Sequence, residues 1–281
     1  MKLARVGPPG AERPAVHIGG RWHDLSGRWE DLDARSLTCE TLDDLRAAVE
    51  AGSIDAPIEP ERFGPPVAGI GKIVCVGLNY RDHAAETGSP IPAEPILFMK
   101  AADTVVGAHD TVLVPRGSTK TDWEVELAVV IGERAAYLPS AHAAAAVIAG
   151  YTISHDVSER AFQLERGGQW DKGKNAATFN PLGPWLVTAD EVGDPQRLGM
   201  RLWVNGILMQ DGNTGNMIFP VGELVAYVSQ FMTLYPGDVI NTGTPAGVAL
   251  GRPGAPFLRP GDVVVVEIDG LGRQRQVVGA A

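Results

Sequence analysis

Cysteine is scarce in this chain: only Cys39 and Cys75 occur among its 281 residues. Two distant cysteines make neither a disulfide framework nor a zinc motif, so we expect buried free thiols in a reducing compartment. Basic residues are also few, because 24 lysines and arginines face 34 aspartates and glutamates, for a formal charge of −10. A general nucleic-acid-binding protein needs a basic surface, so this composition argues against that class.

Long apolar segments are absent as well. No run reaches the roughly 18 apolar residues that suggest a membrane span, and the first residues, "MKLARVGPPG", lack the apolar core of a secretory signal. We therefore expect a cytoplasmic protein with no membrane partner. A hydrophobic share of 44% is enough for a sizeable core. The length suits one large domain with an appendage, or two modest domains.

Residues 1–66 are predicted to form a small N-terminal α/β domain. The Gly19-Gly20 pair lies between two candidate strands and indicates a hairpin. A helix is predicted over residues 41–52, with Thr41 as its cap and Gly52 as its end. The proline-rich segment "APIEPERFGPP" favours a linker, so a second domain is placed at residues 67–281.

The second domain is predicted to be mainly β with some α, an α+β fold. Strands are expected within residues 72–80, 95–100, 151–158, 181–188, 237–248 and 261–270. Asn205-Gly206 between two apolar runs predicts a hairpin. Helices are expected over residues 140–150 and 221–234, the second with Leu224, Val228 and Phe231 on one face. Strands and helices do not alternate regularly, which argues against a doubly wound sheet.

The segment "TDWEVELAVVIG" carries a row of like charges into an apolar strand. Asp122, Glu124 and Glu126 would share one face, with neighbours about 6.6 Å apart. Two such charges repel by about 2.5 kcal/mol at an effective dielectric near 20. Solvent, arginines or a divalent cation would compensate for this repulsion. With no histidine or thiol nearby, carboxylate oxygens favour Mg²⁺, Mn²⁺ or Ca²⁺ over zinc, and a solvated edge strand is the alternative.

Three further positions carry groups suited to catalysis. Asp156 follows an apolar strand, where it is either a turn cap or a third metal ligand. His83 and Glu86 lie three residues apart, a spacing that puts a general base beside an orienting carboxylate on a helical turn, although ordinary surface pairs share it. Lys174 in "WDKGKNAATF" is either solvated or placed to stabilise an oxyanion.

Seven blocks in order make the segment from about Lys72 to Val278 resemble the fumarylacetoacetate hydrolase family. They are "VGLNYRDHAAE", "LFMK", "DWEVELAVVIG", "GYTISHDVSERAFQ", "GKNAATFNPLGPWLVT", "NTGTPAGV" and "PGDVVVVEIDGLG". The resemblance implies a mixed β-roll of coiled sheets, which agrees with the β-rich pattern above. It also implies a homodimer, with residues 67–281 as the catalytic domain.

The resemblance assigns roles to individual residues. Glu124, Glu126 and Asp156 match the ligands of Mg²⁺ or Mn²⁺, for which Ca²⁺ is a possible substitute. His83 and Glu86 match a dyad that activates water on a mobile lid, and Lys174 matches the catalytic lysine. Substrate contacts are expected from Tyr80 at the pocket mouth and from Arg160, Gln163 and Thr244. A structural ion pair is the alternative for Arg160, and Lys100 is expected to balance the carboxylates.

Two segments depart from the family pattern. Asn175-Ala176-Ala177 lacks a serine and an aspartate that usually follow the catalytic lysine, and Ala102-Asp103-Thr104 stands where relatives usually carry a serine or a Pro-Ser pair. The segments "FQLERGGQWDKGK" and "GNTGNMIF" look like the branch that acts on diketo sugar acids and related acylpyruvates.

The predicted function is metal-dependent hydrolysis of a C–C bond in a 2,4-dioxo acid of the acylpyruvate or diketo sugar acid type, through a metal-bound enolate. Decarboxylation of oxaloacetate-like acids, and hydration or isomerisation of related dienols, are the alternatives on the same site. A non-catalytic protein that binds a structural Ca²⁺ is the alternative of another class. Phosphoryl transfer ranks low because no Gly-rich phosphate loop is present.

Overall fold

The computed structural model describes residues 1–252, 254 and 257–281. Its first strands are β1 (Lys2–Val6), β2 (Arg13–Ile18), β3 (Arg21–Asp24), β4 (Pro57–Ile58), β5 (Ile73–Gly77), β6 (Ile96–Lys100), β7 (Val105–Gly107), β8 (Val112–Val114), β9 (Thr121–Asp122) and β10 (Val125–Ile131). The later strands are β11 (Ile148–His155), β12 (Ser158–Glu159), β13 (Asn180–Leu182), β14 (Leu186–Thr188), β15 (Gly199–Val204), β16 (Ile207–Asn213), β17 (Val239–Asn241), β18 (Val263–Ile268) and β19 (Gly272–Ala280).

The helices are fewer than the strands. The α-helices are α1 (Cys39–Glu50), α2 (Arg81–Glu86), α3 (Ala141–Ala145), α4 (Arg160–Leu164), α5 (Asp171–Lys174), α6 (Ala189–Val192) and α7 (Val221–Val228). Short 3₁₀ turns occupy Ala102–Thr104, Pro195–Arg197, Thr214–Asn216 and Ala249–Gly251. The predicted mainly β, α+β fold is confirmed.

Two sheets contain most of the strands in the described chain. The larger has the strand order β4-β3-β2-β1-β14-β11-β10-β17-β5-β6, with β13 and β7 attached beside β11. The smaller has the order β16-β15-β18-β19-β8. Strands β10 and β11 pack against β15 and β18, so the sheets lie face to face over a common core.

Strand β10 is buried on both faces. Leu127 and Val129 point into the core between the two sheets, whereas Ala128 and Val130 pack against residues of the N-terminal segment, such as Leu37. The carboxylate of Glu126 shares the second face because side chains two apart in a strand point the same way. The strand predicted for the segment "TDWEVELAVVIG" is interrupted, because β9 ends at Asp122 and β10 begins at Val125.

Both hairpin predictions are confirmed. Gly19-Gly20 joins β2 to β3, and Asn205-Gly206 joins β15 to β16. Asn205 has a φ of 51° and Gly206 a φ of 79°, the left-handed pair that a tight hairpin turn requires. Asparagine followed by glycine adopts this pair at little cost, which is why the signal was reliable.

Helix boundaries were predicted less well. Helix α1 begins at Cys39 and its N-cap is Thr38, three residues before the predicted cap, because Thr38 Oγ1 accepts from the Thr41 N–H at 3.3 Å. Helix α3 starts after Ser140 as expected but ends at Ala145, and Gly150 lies within β11. Helix α7 ends at Val228, so Phe231 is not on its buried face and is 61% exposed.

The first 66 residues contribute to the same sheet and core as the rest. Strand β1 pairs with β14, and the predicted linker contains β4, which pairs with β3. Leu3 and Val16 join one hydrophobic cluster with Ile73. The division of the chain at residues 66 and 67 stays a prediction.

Both cysteines are free thiols, as expected, but only Cys75 is buried and Cys39 is partly exposed. Burial raises the pKa of the Cys75 thiol well above its usual range. No helix in the described part of the chain combines the length and the apolarity that a membrane crossing demands.

Candidate active site

Three strands end and one begins at a single edge of the larger sheet. Strand β10 runs antiparallel to β11 and β17, and β17 runs parallel to β5. The carboxyl ends of β5, β11 and β17 therefore lie beside the amino end of β10. Leu78, Asp156 and Thr242 follow the three ending strands, and Glu124 precedes β10. Residues far apart in sequence converge here for this topological reason.

Glu124, Glu126 and Asp156 form a buried carboxylate triad at this edge. Each offers one oxygen such that all three lie within 4.8 Å of one another. The three side chains belong to residues that are at most 4% exposed. The Asp156 N–H donates to the Glu124 carbonyl at 3.0 Å, which ties the start of β10 to the end of β11. Such crowding of buried carboxylates requires positive charge nearby.

Arg160 supplies part of that charge. Its Nη2 donates to Glu124 Oε1 at 2.5 Å and its Nε to Asp122 Oδ2 at 2.8 Å. Burial opposes the charged guanidinium, but Glu124 and Asp122 outweigh it and raise the pKa of Arg160. Asp122 also accepts from the backbone N–H groups of Ala249 and Leu250, at 2.7 and 3.0 Å. Asp122, the one carboxylate of the row outside the triad, thus anchors Arg160 to the backbone at residues 249–250.

Two lysines supply the rest of the positive charge around the triad. Lys174 Nζ bridges Glu124 Oε2 at 2.7 Å and Asp156 Oδ2 at 2.8 Å. Lys100 Nζ donates to Asp156 Oδ1 at 2.6 Å. Burial disfavours charge on Lys174, but Asp156 and Glu124 outweigh it and raise its pKa. Burial likewise opposes ionisation of Glu124, yet Lys174 and Arg160 hold the pKa of that carboxyl well below its usual range.

Glu126 is the carboxylate without a cationic partner in the described part of the chain. It accepts one hydrogen bond, from the Gly243 N–H at 2.8 Å. Burial, followed by the charges of Asp156 and Glu124, raises the pKa of Glu126 well above its usual range. The triad and Asp122 carry four potential negative charges against the three of Arg160, Lys174 and Lys100. An oxygen-only donor set with one uncompensated charge fits a Mg²⁺ or Mn²⁺ ion.

His83 and Glu86 lie on the short helix α2, as the spacing predicted. His83 Nδ1 is 3.4 Å from Glu86 Oε2, a long hydrogen bond of the kind that tightens when substrate binds. Both Glu86 oxygens accept from the Gly247 N–H at 2.9 Å. A Cβ placed on Gly251 would lie 2.2 Å from Glu86 Cδ. The backbone at Gly247 and Gly251 therefore positions the carboxylate of this His–Glu dyad.

Two carboxylates of the triad, Glu124 and Glu126, and both residues of the dyad line one cavity of about 490 Å³. Its polar lining consists of His83, Glu86, Glu124, Glu126, Arg160, Gln163, Lys174 and Thr244, together with Thr87, Ser89 and Arg252. Its apolar lining consists of Val76, Leu78, Phe98, Leu164, Trp170 and Leu250. A concave cleft in which apolar walls meet converging polar groups is typical of a small-molecule site.

The apolar wall depends on two backbone features of the turn after β5. Leu78 has a φ of 51°. This left-handed conformation is strained for a bulky side chain such as leucine, and such strained residues cluster at functional sites. A Cβ on Gly77 would lie 2.4 Å from Trp170 Cζ3, so glycine allows the indole to approach the strand. Trp170 packs edge-on against Phe98 at a centroid distance of 5.5 Å.

A family model describing the fumarylacetoacetate hydrolase C-terminal region matches residues 72–279. The chain belongs to the fumarylacetoacetate hydrolase family. The match covers the whole segment in which the sequence blocks were found, and the family's hydrolases are enzymes. The predicted membership is confirmed.

Individual relatives within this family differ in chemistry. The chain is 51% identical over 283 residues to a 2,4-didehydro-3-deoxy-L-rhamnonate hydrolase of Sphingomonas sp. (strain SKA58), covering 99% of this chain and 96% of the relative. It is similar to the crystal structure of maleylpyruvate hydrolase from Sphingobium sp. SYK-6 in complex with manganese(II) and pyruvate, with a TM-score of 0.81, 31% identity and full coverage of both chains. It is also similar to 2-hydroxyhepta-2,4-diene-1,7-dioate isomerase from Mycobacterium marinum, with a TM-score of 0.72, 31% identity, and coverage of 100% and 98% of the two chains.

Eight of the ten site residues singled out in the sequence line the cavity. Asp156 does not line it but is joined to it by Lys174, a lining residue that donates to Asp156 Oδ2. Gln163 Oε1 accepts from Arg160 Nη1 at 3.0 Å, and Thr244 Oγ1 accepts from Gln210 Nε2 at 2.8 Å. Lys100 balances the triad, as its predicted role requires.

Tyr80 lies elsewhere, and its predicted place at the pocket mouth is wrong. It is fully buried in the core between the sheets, and its hydroxyl donates to Met200 Sδ at 3.0 Å. Burial raises the pKa of this phenol well above its usual range. Tyr80 is the residue before α2, and that position turns its ring inward while His83, three residues later, faces the cavity.

Several residues of the cavity wall were not predicted from the sequence. They are Phe98, Leu164, Trp170, Leu250 and Arg252. Phe98 occurs in the matched block "LFMK", and Trp170 lies four residues before Lys174, so proximity to matched residues was the available signal. Leu250 and Arg252 come from a segment without periodicity, for which sequence offers no such clue.

Proposed function

We propose that this protein is a divalent-metal-dependent hydrolase that cleaves a C–C bond in a 2,4-dioxo acid of the acylpyruvate or diketo sugar acid type. The observation that carries the proposal is that Glu124 and Glu126 of the carboxylate triad line the same cavity as the His83–Glu86 dyad, with Asp156 completing the triad. A structural cation site has no need of a general base beside it. The relative that is 51% identical, a didehydro-deoxy-rhamnonate hydrolase, supports this substrate class.

Glu124, Glu126 and Asp156 would hold the ion. When bound, Mg²⁺ or Mn²⁺ supplies Lewis acidity and a point of chelation for the carboxylate and 2-oxo oxygens of the substrate. The manganese and pyruvate in the Sphingobium maleylpyruvate hydrolase support the choice of ion. Arg160 and Lys174 hold Glu124 ionised, which a ligand carboxylate requires.

The dyad performs the proton transfer. Glu86 accepts from Nδ1–H of His83, which leaves Nε2 to take a proton from water. The water oxygen bonds to the C4 carbonyl carbon, and the C3–C4 bond then breaks with its electron pair moving to C3 as an enolate. Protonation of C3 gives pyruvate, or a substituted 2-oxo acid, and the distal group leaves as a carboxylic acid.

Lys174 stabilises the negative charge that develops on the enolate. Its ammonium carries three N–H donors and uses two of them on Glu124 and Asp156. The third is available to a substrate oxygen in the cavity, which Lys174 also lines. A fixed cation in a site shielded from water stabilises such charge far better than water does.

A substrate panel tests the proposal. Acetylpyruvate, a dioxo acid with a distal carboxylate, a diketo sugar acid and oxaloacetate are incubated with Mg²⁺ or Mn²⁺, and pyruvate formation is followed. We expect hydrolysis of at least one dioxo acid, abolished by chelator and restored by metal. Metal binding without turnover of any compound would instead indicate a non-catalytic protein, and turnover of oxaloacetate alone would indicate a decarboxylase.

The site also accommodates isomerisation of a dienol, because that reaction passes through a related enolate. The similarity to the Mycobacterium marinum isomerase supports this second candidate. Adding a 2-hydroxydiene dioate to the panel separates the two. The homodimer remains a proposal based on family resemblance, and sedimentation equilibrium measures it.

A further inference from the structure

The Gly247 peptide connects Arg252 with the His–Glu dyad. The Gly247 N–H donates to Glu86 at 2.9 Å, and the Gly247 carbonyl accepts from Arg252 Nε at 3.2 Å. Arg252 also lines the cavity and is exposed at its opening. The guanidinium therefore lies at the dyad end of the cavity.

Arg252 differs in charge pairing from the other cations that line the cavity. Arg160 and Lys174 donate to the buried carboxylates described above. Arg252 forms no ion pair within the described residues, and its hydrogen bonds there go to the carbonyls of Gly247 and Met209. A guanidinium has five N–H donors, so donors remain for a ligand.

Under the proposed function, the two ends of the substrate have defined places. The 2-oxo acid end lies at the triad, and the distal carbonyl must meet the water held by His83. The group attached to that carbonyl then extends past the dyad toward Arg252, with Leu164 and Leu250 beside the opening at 44% and 42% exposed. A charged donor beside an apolar rim favours a short chain that carries an acceptor oxygen.

We propose that Arg252 is a specificity-determining residue that donates hydrogen bonds to an oxygen on the distal acyl group of the substrate. A carboxylate and a hydroxyl share this acceptor chemistry. The inference rests on the proposed function and deepens it, because it predicts which dioxo acids are preferred. A distal methyl group offers no acceptor and gains nothing from Arg252.

The test is the Arg252→Met variant, assayed on three dioxo acids whose distal groups end in a carboxylate, a hydroxyl-bearing carbon or a methyl. Loss of a charged hydrogen bond is expected to lower kcat/KM about 10- to 100-fold for whichever oxygenated substrate is native. The acetylpyruvate value should change less than about threefold, within the range of surface substitutions. Arg252→Lys should restore part of the loss, because a lysine keeps the charge but not the fork of donors.

The matched control is Arg116→Met. Arg116 is exposed, donates to a backbone carbonyl (Ala281, 3.4 Å) and does not line the cavity, so all three substrates should be unaffected. An equal loss on all three substrates in Arg252→Met would mean that Arg252 only holds the loop, and no loss on any would mean that it contacts no substrate. Trp123 Nε1 also donates to the Gly247 carbonyl at 3.1 Å, so the loop keeps a tether in the variant.

A binding measurement separates this inference from the proposed reaction. Calorimetric titration of His83→Ala and of His83→Ala/Arg252→Met with the same compounds records the contact without turnover. Weaker binding of an oxygenated compound in the double variant, with acetylpyruvate unchanged, supports the role of Arg252. Equal affinities would overturn it whatever the reaction, whereas failure of the wild-type protein to hydrolyse any dioxo acid would overturn the proposed function alone.

Discussion

Asp122 and Arg160 form a buried ion pair, with 2.8 Å between Oδ2 and Nε. The segment that enters the core carries three carboxylates, but only Glu124 and Glu126 belong to the triad. The ion pair with Arg160 explains the presence of Asp122. Asp122 ties Arg160 to the backbone at Ala249 and Leu250, and Arg160 in turn holds Glu124. One carboxylate of the row thus stabilises the position of another.

The Asp122→Ala variant tests this relationship. Removing one partner leaves the Arg160 guanidinium without its Nε acceptor, and breaking a buried pair typically costs about 3–5 kcal/mol. We expect the free energy of unfolding in urea to fall by about that amount. Asp43→Ala is the matched control, because the Asp43 carboxylate is 71% exposed in its pair with Arg46 and should cost less than about 1 kcal/mol. Equal effects in both variants would contradict the anchoring role.

His83→Ala tests the general base. Loss of the imidazole should slow hydrolysis of the best dioxo acid by about 10²–10⁴-fold, the usual contribution of general-base catalysis. Metal affinity should not change, because no atom of His83 belongs to the triad. Stopped-flow assays and Mn²⁺ titration measure the two quantities. Undiminished hydrolysis would exclude the dyad. Decarboxylation that survives while hydrolysis is lost would show that the two reactions separate at water activation.

Gly251→Ala tests the position of Glu86. The new methyl group would lie 2.2 to 2.4 Å from side-chain atoms of Glu86, so the flexible carboxylate must move while the fold stays intact. A displacement of about 1 Å at a catalytic group can reduce the rate by up to about 10²-fold. We expect kcat to fall with the melting temperature nearly unchanged. Gly27→Ala has open space around its Cβ and should leave both values as they are. A wild-type kcat in Gly251→Ala would show that the dyad tolerates movement.

The Arg62–Asp110 pair links the N-terminal segment to the loop between β7 and β8. Burial opposes ionisation of Asp110, but Arg62 and the Gly107 N–H outweigh it and lower its pKa below the usual 3.8. A carboxyl whose pKa is lower in the folded chain stabilises the fold at pH values above its unfolded-state pKa of about 3.8. This stability is lost as the pH falls from that value through the lower pKa of the folded state. Asp110→Asn should therefore lower the melting temperature at pH 7, and the difference from wild type should shrink toward pH 3. Asp43→Asn serves as the exposed control, and a pH-independent difference would contradict the assignment.

The sequence predicted the chemistry of the site better than its walls. Glu124 and Glu126 were recognisable because like charges on a strand that enters a core demand compensation. Asp156 was recognisable because it follows an apolar strand within a block that resembles the family. Phe98 and Trp170 were not, because an aromatic residue in an apolar strand or a polar loop has the same pattern whether it lines a cavity or the core. Tyr80 failed for the same reason, since a phenol beside a catalytic block carries no sign of which way it points.

Local signals also decided which parts of the fold were predictable. The Asn205-Gly206 pair favours a tight hairpin turn whatever the surrounding structure, so the hairpin was identified correctly. The end of α3 was not, because the alanines after Ala145 are compatible with a helix, and pairing of β11 with β10 determines where the strand begins. Thr38 and Thr41 are both good caps, and only the hydrogen bond between them shows which one starts α1.

The most direct test of the account is an anomalous-difference map from crystals grown with Mn²⁺. We predict one strong peak in the cavity, with oxygens of Glu124, Glu126 and Asp156 about 2.0–2.3 Å away. The peak should be absent in Glu126→Gln and present in Glu133→Gln, whose side chain instead accepts from the Cys39 N–H. A map without a peak there, with Arg160 and Lys174 still bonded to the carboxylates of the triad, would contradict the account.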